Sequence, residues 1–129
     1  MKLLLDTHVL LWSATAPDRL ASRARSALED GSHEVLVSLV SAWEIAIKQS
    51  LGKIELALPA EKWLPDVLRR TGFEVAELGV DAALRVRALD WHHRDPFDRL
   101  LIAQALEHGY TIVTHDDAFQ AYRVPVLWA

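Results

Sequence analysis

The chain has 129 residues, 51% of them hydrophobic, and a formal net charge of −4 at pH 7. That length suits one compact domain, residues 1–129, which can bury an apolar core of its own. The negative charge argues against nonspecific coating of nucleic acid, which needs many Lys and Arg side chains, and the absence of cysteine excludes disulfides, thiolate metal sites and thiol nucleophiles.

Short apolar runs typical of β-strands alternate with segments of helical periodicity. This alternation predicts an α/β protein, a three-layer α/β/α sandwich in which a central, mainly parallel sheet has helices on both faces. No run approaches the roughly 20 apolar residues of a membrane helix, and the run ending at Leu5 is too short for a signal peptide, so we expect a cytoplasmic protein. In chain order we predict strand Lys2–Asp6, helices Thr7–Ser13 and Asp18–Asp30, strand Glu34–Ser38, helices Val40–Leu51 and Ala60–Thr71, strand Phe73–Leu78, helices Val80–Trp91 and Pro96–His108, strand Thr111–Thr114, helix Asp116–Tyr122 and strand Val124–Trp128.

Four acidic residues fall close to the predicted strands. Asp6 ends the first strand, Glu44 lies early in the helix after the second, Asp98 begins the helix before the fourth, and Asp116 follows the fourth. In open α/β sheets the ligand crevice lies beyond the carboxyl ends of the strands. Carboxylates without cysteine suit Mg²⁺ or Mn²⁺, which also accept substrate phosphate oxygens as ligands. The pattern therefore indicates a metal-dependent phosphodiester hydrolase.

Each of these acids also has a purely structural alternative. Asp6 would cap the helix that begins at Thr7, and Asp116 would cap the short helix that follows it. In the second case the neighbouring Asp117 competes with Asp116 for the functional role.

The other two acids lie within helices. Asp98 would be a first-turn acid of a helix that Asp95 caps and Pro96 opens, where it would interact favourably with the helix dipole. Glu44 would pair with Lys48 one turn later. Apolar residues on the same face of that helix nevertheless predict that the Glu44 carboxylate points inward, where it needs partners.

Histidine ligands to a metal are not expected. The adjacent His92 and His93 cannot share a helix face, and neither has a His or Cys partner at the spacing of a zinc motif. His8 and His115 flank the acids and are candidates for contact with substrate.

The tryptophans and arginines receive structural interpretations. Trp12 and Trp43 are interpreted as core or subunit-interface residues, with stacking on nucleotide bases as the alternative. The arginines are expected on solvated helix faces, with local RNA contact as the alternative, at Arg19, Arg23, Arg25, Arg85, Arg87, Arg94 and Arg99.

Each of the four acids lies in a short sequence fragment that can be compared with known families as a whole. The fragments are Leu3–His8, Ser38–Lys48, Asp95–Ala105 and Thr111–Asp116. Each fragment alone is a weak signal. In this order, over nearly the whole chain, they resemble the PIN-domain ribonucleases, specifically the VapC-type toxins of bacterial toxin–antitoxin pairs.

The resemblance implies a PIN fold and a Mg²⁺ or Mn²⁺ site built from Asp6, Glu44, Asp98 and Asp116, where metal-activated water cleaves RNA endonucleolytically. It also implies a homodimer, or a dimer of dimers in the complex, and inhibition by a cognate small antitoxin that binds DNA. Residues beside the acids would support them or contact substrate, namely Thr7, Asp95, Arg99, Thr114 and Asp117.

Two rival functions are weaker. A phosphatase of the haloacid dehalogenase type also begins with a strand ending in Asp, but it needs a second Asp two residues later, where this chain has His8. A catalytically inactive module that only binds RNA or protein would be favoured by loss of an acid, and all four are present.

Overall fold

A computed structural model describes all residues from 1 to 129 and contains a single five-stranded sheet. Three short 3₁₀ turns, Pro17–Arg19, Val86–Ala88 and Asp117–Ala121, complete the regular structure. In chain order the strands and helices are β1 (Lys2–Leu5), α1 (Thr7–Thr15), α2 (Ser22–Glu29), β2 (Glu34–Ser38), α3 (Leu39–Ser50), α4 (Ala60–Thr71), β3 (Glu74–Ala76), α5 (Val80–Arg85), α6 (Pro96–His108), β4 (Thr111–Thr114) and β5 (Val126–Trp128).

The sheet is parallel throughout, with strand order β3-β2-β1-β4-β5. The first strand of the chain is therefore the central one, and Leu4 lies opposite both Leu36 of β2 and Ile112 of β4. Such a strand is covered on both faces, which explains why Leu3, Leu4 and Leu5 are all essentially inaccessible to solvent.

Two apolar cores lie on opposite faces of this sheet. Leu3 and Leu5 pack in one core with residues of α1, α2 and α4, including Trp63. Leu4, which points the other way because side chains alternate along a strand, packs in the second core with residues of α3 and α6, including Leu101. The predicted three-layer α/β/α sandwich is confirmed.

The chain order around β1 creates the crevice of this fold. Because β2 pairs with one side of β1 and β4 with the other, the connections that leave these strands diverge at their carboxyl ends. The N-termini of α1 and α3 follow β1 and β2 directly, and α6 runs back to β4 through Gly109, whose φ of +73° ends the helix. Residues at these helix starts therefore meet at one edge of the sheet.

Several predicted boundaries differ from the structure. The predicted helix Asp18–Asp30 is a 3₁₀ turn followed by α2, and the predicted helix Asp116–Tyr122 is a single 3₁₀ turn. The predicted strand Val124–Trp128 begins only at Val126, because Pro125 has no N–H to donate to β4. No helix is long and apolar enough to cross a membrane.

The largest difference is at the predicted helix Val80–Trp91, which ends as an α-helix at Arg85. The carbonyls of Leu89 and Asp90 accept hydrogen bonds from the Arg99 side chain. Because these residues lie outside the helix, their carbonyls are free to accept hydrogen bonds from the buried Arg99.

Candidate active site

Asp6 joins the ends of the two central strands. Its Oδ1 accepts a hydrogen bond from the backbone N–H of His8 and so caps α1, while its Oδ2 accepts one of 2.7 Å from Thr114 Oγ1 at the end of β4. Only 3% of Asp6 is exposed. Burial raises the pKa of this carboxyl above its usual value, although the hydrogen bonds from Thr114 and His8 oppose the rise.

Glu44 is buried and hydrogen-bonded on both oxygens. Thr7 Oγ1 donates to its Oε1 over 2.7 Å, and Ser41 Oγ lies 2.9 Å from the Thr7 hydroxyl. Lys48 Nζ donates to Oε2, so the predicted pair with Lys48 and the predicted inward orientation are both present. Burial alone would lower the pKa of Lys48, but the hydrogen bond and charge of Glu44, followed by the charges of Asp95 and Asp98, raise it.

The Asp98 side chain does not cap α6, because Asp95 does so. Asp95 Oδ1 accepts from the backbone N–H groups of Phe97 (2.8 Å) and Asp98 (3.3 Å). The Asp98 side chain instead has its Oδ2 2.8 Å from His93 Nε2. Burial raises the pKa of Asp98 to about 7; the His93 hydrogen bond opposes this shift, and the negative charges of Asp6 and Asp95 add to it.

Asp116, rather than Asp117, reaches the cluster. It caps the 3₁₀ turn through Ala118 N–H, and its carboxylate, a carboxylate oxygen of Asp98 and a ring nitrogen of His93 all lie within 4.8 Å of one another. Asp117 is exposed and belongs to no such group. Of the two neighbouring acids, Asp116 is therefore the one that lies beside Asp98.

His93 is the residue that the sequence analysis missed. No helical spacing connects it to another ligand in the sequence, yet the chain after Val86 folds back so that its imidazole contacts Asp98. His93 lies five residues before Asp98 and outside α6, so no helical or strand periodicity connects the two residues in the sequence. The contact depends on tertiary structure around Arg99.

The expectation that Arg99 lies on a solvated helix face or contacts RNA is wrong, while its support of the acids stays a prediction. Only 2% of it is exposed, because the helix directs it away from Asp98 into the segment 86–93, where backbone carbonyls accept its hydrogen bonds. Trp43 is not a core residue either, since 57% of it is exposed and its ring contacts the edge of Phe97. Trp12 is half-buried and packs 4.4 Å from the His115 ring.

The model of the PIN domain family matches residues 3–125. This chain belongs to the PIN-domain family. Ribonuclease VapC22 of Mycobacterium tuberculosis is 34% identical to it over 125 residues, which cover 95% of this chain and 92% of that protein. Ribonuclease VapC16 of the same organism is 41% identical over 69 residues, 50% of this chain and 48% of that one.

Solved structures share the fold of this PIN domain. VapBC2 from Rickettsia felis bound to a promoter DNA fragment superposes with a TM-score of 0.71 at 14% identity, covering 99% of this chain and 98% of that one. DNA-bound VapBC from Salmonella typhimurium gives 0.70 at 19% identity over the same shares of the two chains. At such identities the likeness shows a common fold.

The donor set of this PIN domain fits a hard divalent cation. Carboxylate oxygens of Asp98 and Asp116 lie close together without any thiolate, and the charge of Asp6 acts on Asp98. Burial raises the pKa values of both Asp6 and Asp98, so negative charge is held here where water is scarce. A divalent ion would neutralise that charge. Lys48 neutralises only the Glu44 side of the cluster.

Asp98→Asn is expected to raise the free energy of unfolding of the metal-free PIN domain by about 1 kcal/mol above pH 7. Because the pKa of Asp98 is raised to about 7, the folded protein holds this proton more tightly than the unfolded chain, and stability falls as the pH rises from about 4 to about 7. Asparagine removes the charge, so the gain should vanish near pH 4. Thermal melts in EDTA across this pH range measure it.

The matched control is Asp81→Asn, which changes an exposed first-turn acid of α5 outside the cluster. It should lose about 0.3–1 kcal/mol of helix-dipole interaction at neutral pH. Added Mn²⁺ should stabilise the wild type more than Asp98→Asn, because only the intact cluster binds it tightly. An Asp98→Asn protein that melts lower in EDTA and gains as much from Mn²⁺ would leave Asp98 a helix-stabilising residue only.

Proposed function

We propose that this chain is a metal-dependent endoribonuclease and the toxin of a toxin–antitoxin pair. The observation that supports the proposal is a series of close pairs at the carboxyl edge of the sheet: the charge of Asp6 acts on Asp98, and Asp116 lies beside Asp98. Glu44 joins them through Thr7, which follows Asp6 directly. Support also comes from the 34% identity with a protein named ribonuclease VapC22. All four acids are retained, so nothing favours an inactive binding module.

The four acids would hold Mg²⁺ or Mn²⁺. When bound, the ion would orient and acidify a water molecule and offset charge that develops on the scissile phosphate. Thr114 keeps Asp6 in place through one carboxylate oxygen, and Thr7 does the same for Glu44. Asp95 supports the site by fixing the start of α6.

RNA contact in this acidic protein must be local. His8 and His115 are exposed beside Asp6, and the centroids of their rings lie 5.9 Å apart. Both rings also contact the ring of Trp12. Exposed Trp43 lies next to Glu44 in the chain. Aromatic rings at these positions would stack on bases that flank the scissile phosphate, as in other proteins that bind single strands.

A small DNA-binding antitoxin is the proposed partner, and both would meet in the cytoplasm. The structural neighbours VapBC2 and VapBC are complexes with DNA. This chain leaves large apolar side chains on α3 and α5 exposed, which suits contact with a partner or with a second copy in a homodimer, at Leu39, Trp43, Val80 and Leu84.

Expression of the chain alone should arrest bacterial growth, because cleavage of cellular RNA stops protein synthesis. Co-expression of the small protein encoded next to it should restore growth and yield a complex that co-purifies. Asp6→Asn is the matched control, since it should be harmless yet still co-purify. Normal growth on expression of the folded wild type would contradict the toxin assignment, and cleavage of RNA by purified protein in Mn²⁺ but not in EDTA tests the nuclease directly.

A further inference from the structure

Arg99 is a fully buried arginine without a carboxylate partner. Its Nη1 donates to the backbone carbonyls of Asp90 (2.8 Å) and His93 (3.3 Å), and its Nη2 donates to those of Val86 (3.2 Å) and Leu89 (3.3 Å). Backbone carbonyl dipoles thus replace a counter-ion around its charge.

The rings of Trp91 and Tyr122 complete the enclosure of this guanidinium. Its central carbon lies 3.8 Å from the Trp91 ring centroid, and Tyr122 Oη lies 3.1 Å from Nη1. The Tyr122 hydroxyl also accepts from the backbone N–H of His93 (3.1 Å) and donates to the carbonyl of Asp90 (2.9 Å). One donated and two accepted hydrogen bonds use its full capacity.

Residues 90–93 make no hydrogen bond between backbone groups. They belong to no helix or strand, so their backbone hydrogen bonds run to Arg99 and Tyr122 alone. The position of His93 therefore depends on these two side chains. Because Arg99 follows Asp98 directly on α6, the same helical turn carries the acid and fixes the histidine that contacts it.

We propose that His93 is a positioning residue for Asp98 and that Arg99 and Tyr122 hold it in place. In this role Nε2 carries the ring proton and donates it to Asp98 Oδ2, 2.8 Å away, which fixes the rotation of the carboxylate. Oδ1 makes no hydrogen bond within the protein and stays available to a cation. The consequence for catalysis rests on the proposed function. Partners of metal-binding carboxylates of this kind typically change metal affinity or activity about 10–100-fold when removed.

The test measures Mn²⁺ and Mg²⁺ affinity by calorimetry, and RNA cleavage at saturating metal, for wild type and variants. His93→Ala should weaken binding of both ions by about the same factor, roughly tenfold, because it acts through Asp98. His93→Gln should recover part of the loss, since its amide can donate to the same oxygen. A loss confined to Mn²⁺ would overturn the proposal, because it would make His93 a direct nitrogen ligand, and imidazole favours transition metals over Mg²⁺.

Tyr122→Phe tests the hold on His93 while keeping the ring. It should speed amide hydrogen exchange at His93 in metal-free protein and weaken metal binding less than His93→Ala does. His108→Gln is the matched control, because His108 is exposed at the other end of α6 and stacks on Tyr110, and it should bind both ions within about twofold of wild type.

The outcomes separate the two proposals. A wild type that binds metal and cleaves RNA, with His93→Ala indistinguishable from it, would overturn the role of His93 alone. A folded wild type that binds neither ion would overturn the proposed metal site together with this role. Unchanged amide hydrogen exchange at His93 in Tyr122→Phe would refute the claim that Tyr122 holds His93 in place.

Discussion

Asp6→Asn and Asp98→Asn are each expected to slow RNA cleavage by at least about 100-fold, a rise of roughly 2.7 kcal/mol in the activation barrier. Both side chains are buried, and the negative charge of Asp6 contributes to the raised pKa of Asp98. The amide removes one negative charge, so the metal should bind more weakly and the attacking water should be misplaced. Single-turnover cleavage of a structured RNA in Mn²⁺ measures the rate.

Asp117→Asn is the matched control for this measurement. Asp117 is an exposed acid beside Asp116 that does not join the cluster, so its amide should retain a rate within a few-fold of wild type. Cleavage that survives EDTA, or that both Asp6→Asn and Asp98→Asn leave unchanged, would reject the mechanism and point to a contaminating nuclease.

Arg99→Met is expected to lower the free energy of unfolding by about 3–5 kcal/mol, because it leaves a set of buried acceptors without a donor. Four backbone carbonyls and the Tyr122 hydroxyl each lose one hydrogen bond, and the carbonyls of Leu89 and His93 keep no other donor. Methionine keeps much of the side-chain volume. A chain of this size should then melt more than about 10 °C lower. Urea unfolding followed by circular dichroism measures the change.

The control is Arg85→Met, in which an arginine of a surface ion pair is changed in the same way. Arg85 bonds to Glu107 and its side chain is 43% exposed. Surface pairs of this kind contribute about 0–1 kcal/mol. Equal losses for the two variants would show that the buried carbonyls find water when Arg99 is absent.

The strands of the sheet and the positions of the four acids at strand ends or helix starts could be predicted, because each has a local sequence signal. Leu3–Leu5 is an apolar run of the kind found in strands covered on both faces, and Asp95-Pro96 marks a helix start. The confirmed fold class follows from the alternation of such segments. The proximity of Asp6 and Asp98 also follows from the order of the elements. Asp6 ends a parallel strand, and α6, which runs back to the start of β4, begins at the same carboxyl edge of the sheet.

The features that escaped the sequence depend on partners far along the chain. His93 contacts Asp98 only because Arg99 and Tyr122 fix its backbone, and Tyr122 is 29 positions away from it. Arg99 looks like any surface arginine until the carbonyls around it are known. The residue type of Trp43 suits a core position, but the face of α3 that packs inward carries Glu44 and Ile45, and its place at a subunit interface stays a prediction.

The hydrogen bond between Asp6 and Thr114 spans 108 positions of the chain. The central strand β1 precedes the other four strands in the chain, yet one of its two neighbours is β4, which follows β2 and β3. Contacts of such long range form slowly and late in folding. A chain that ends before β4 lacks both Thr114, which bonds to Asp6, and Asp116, so the candidate site should be complete only once β4 and Asp116 have been added.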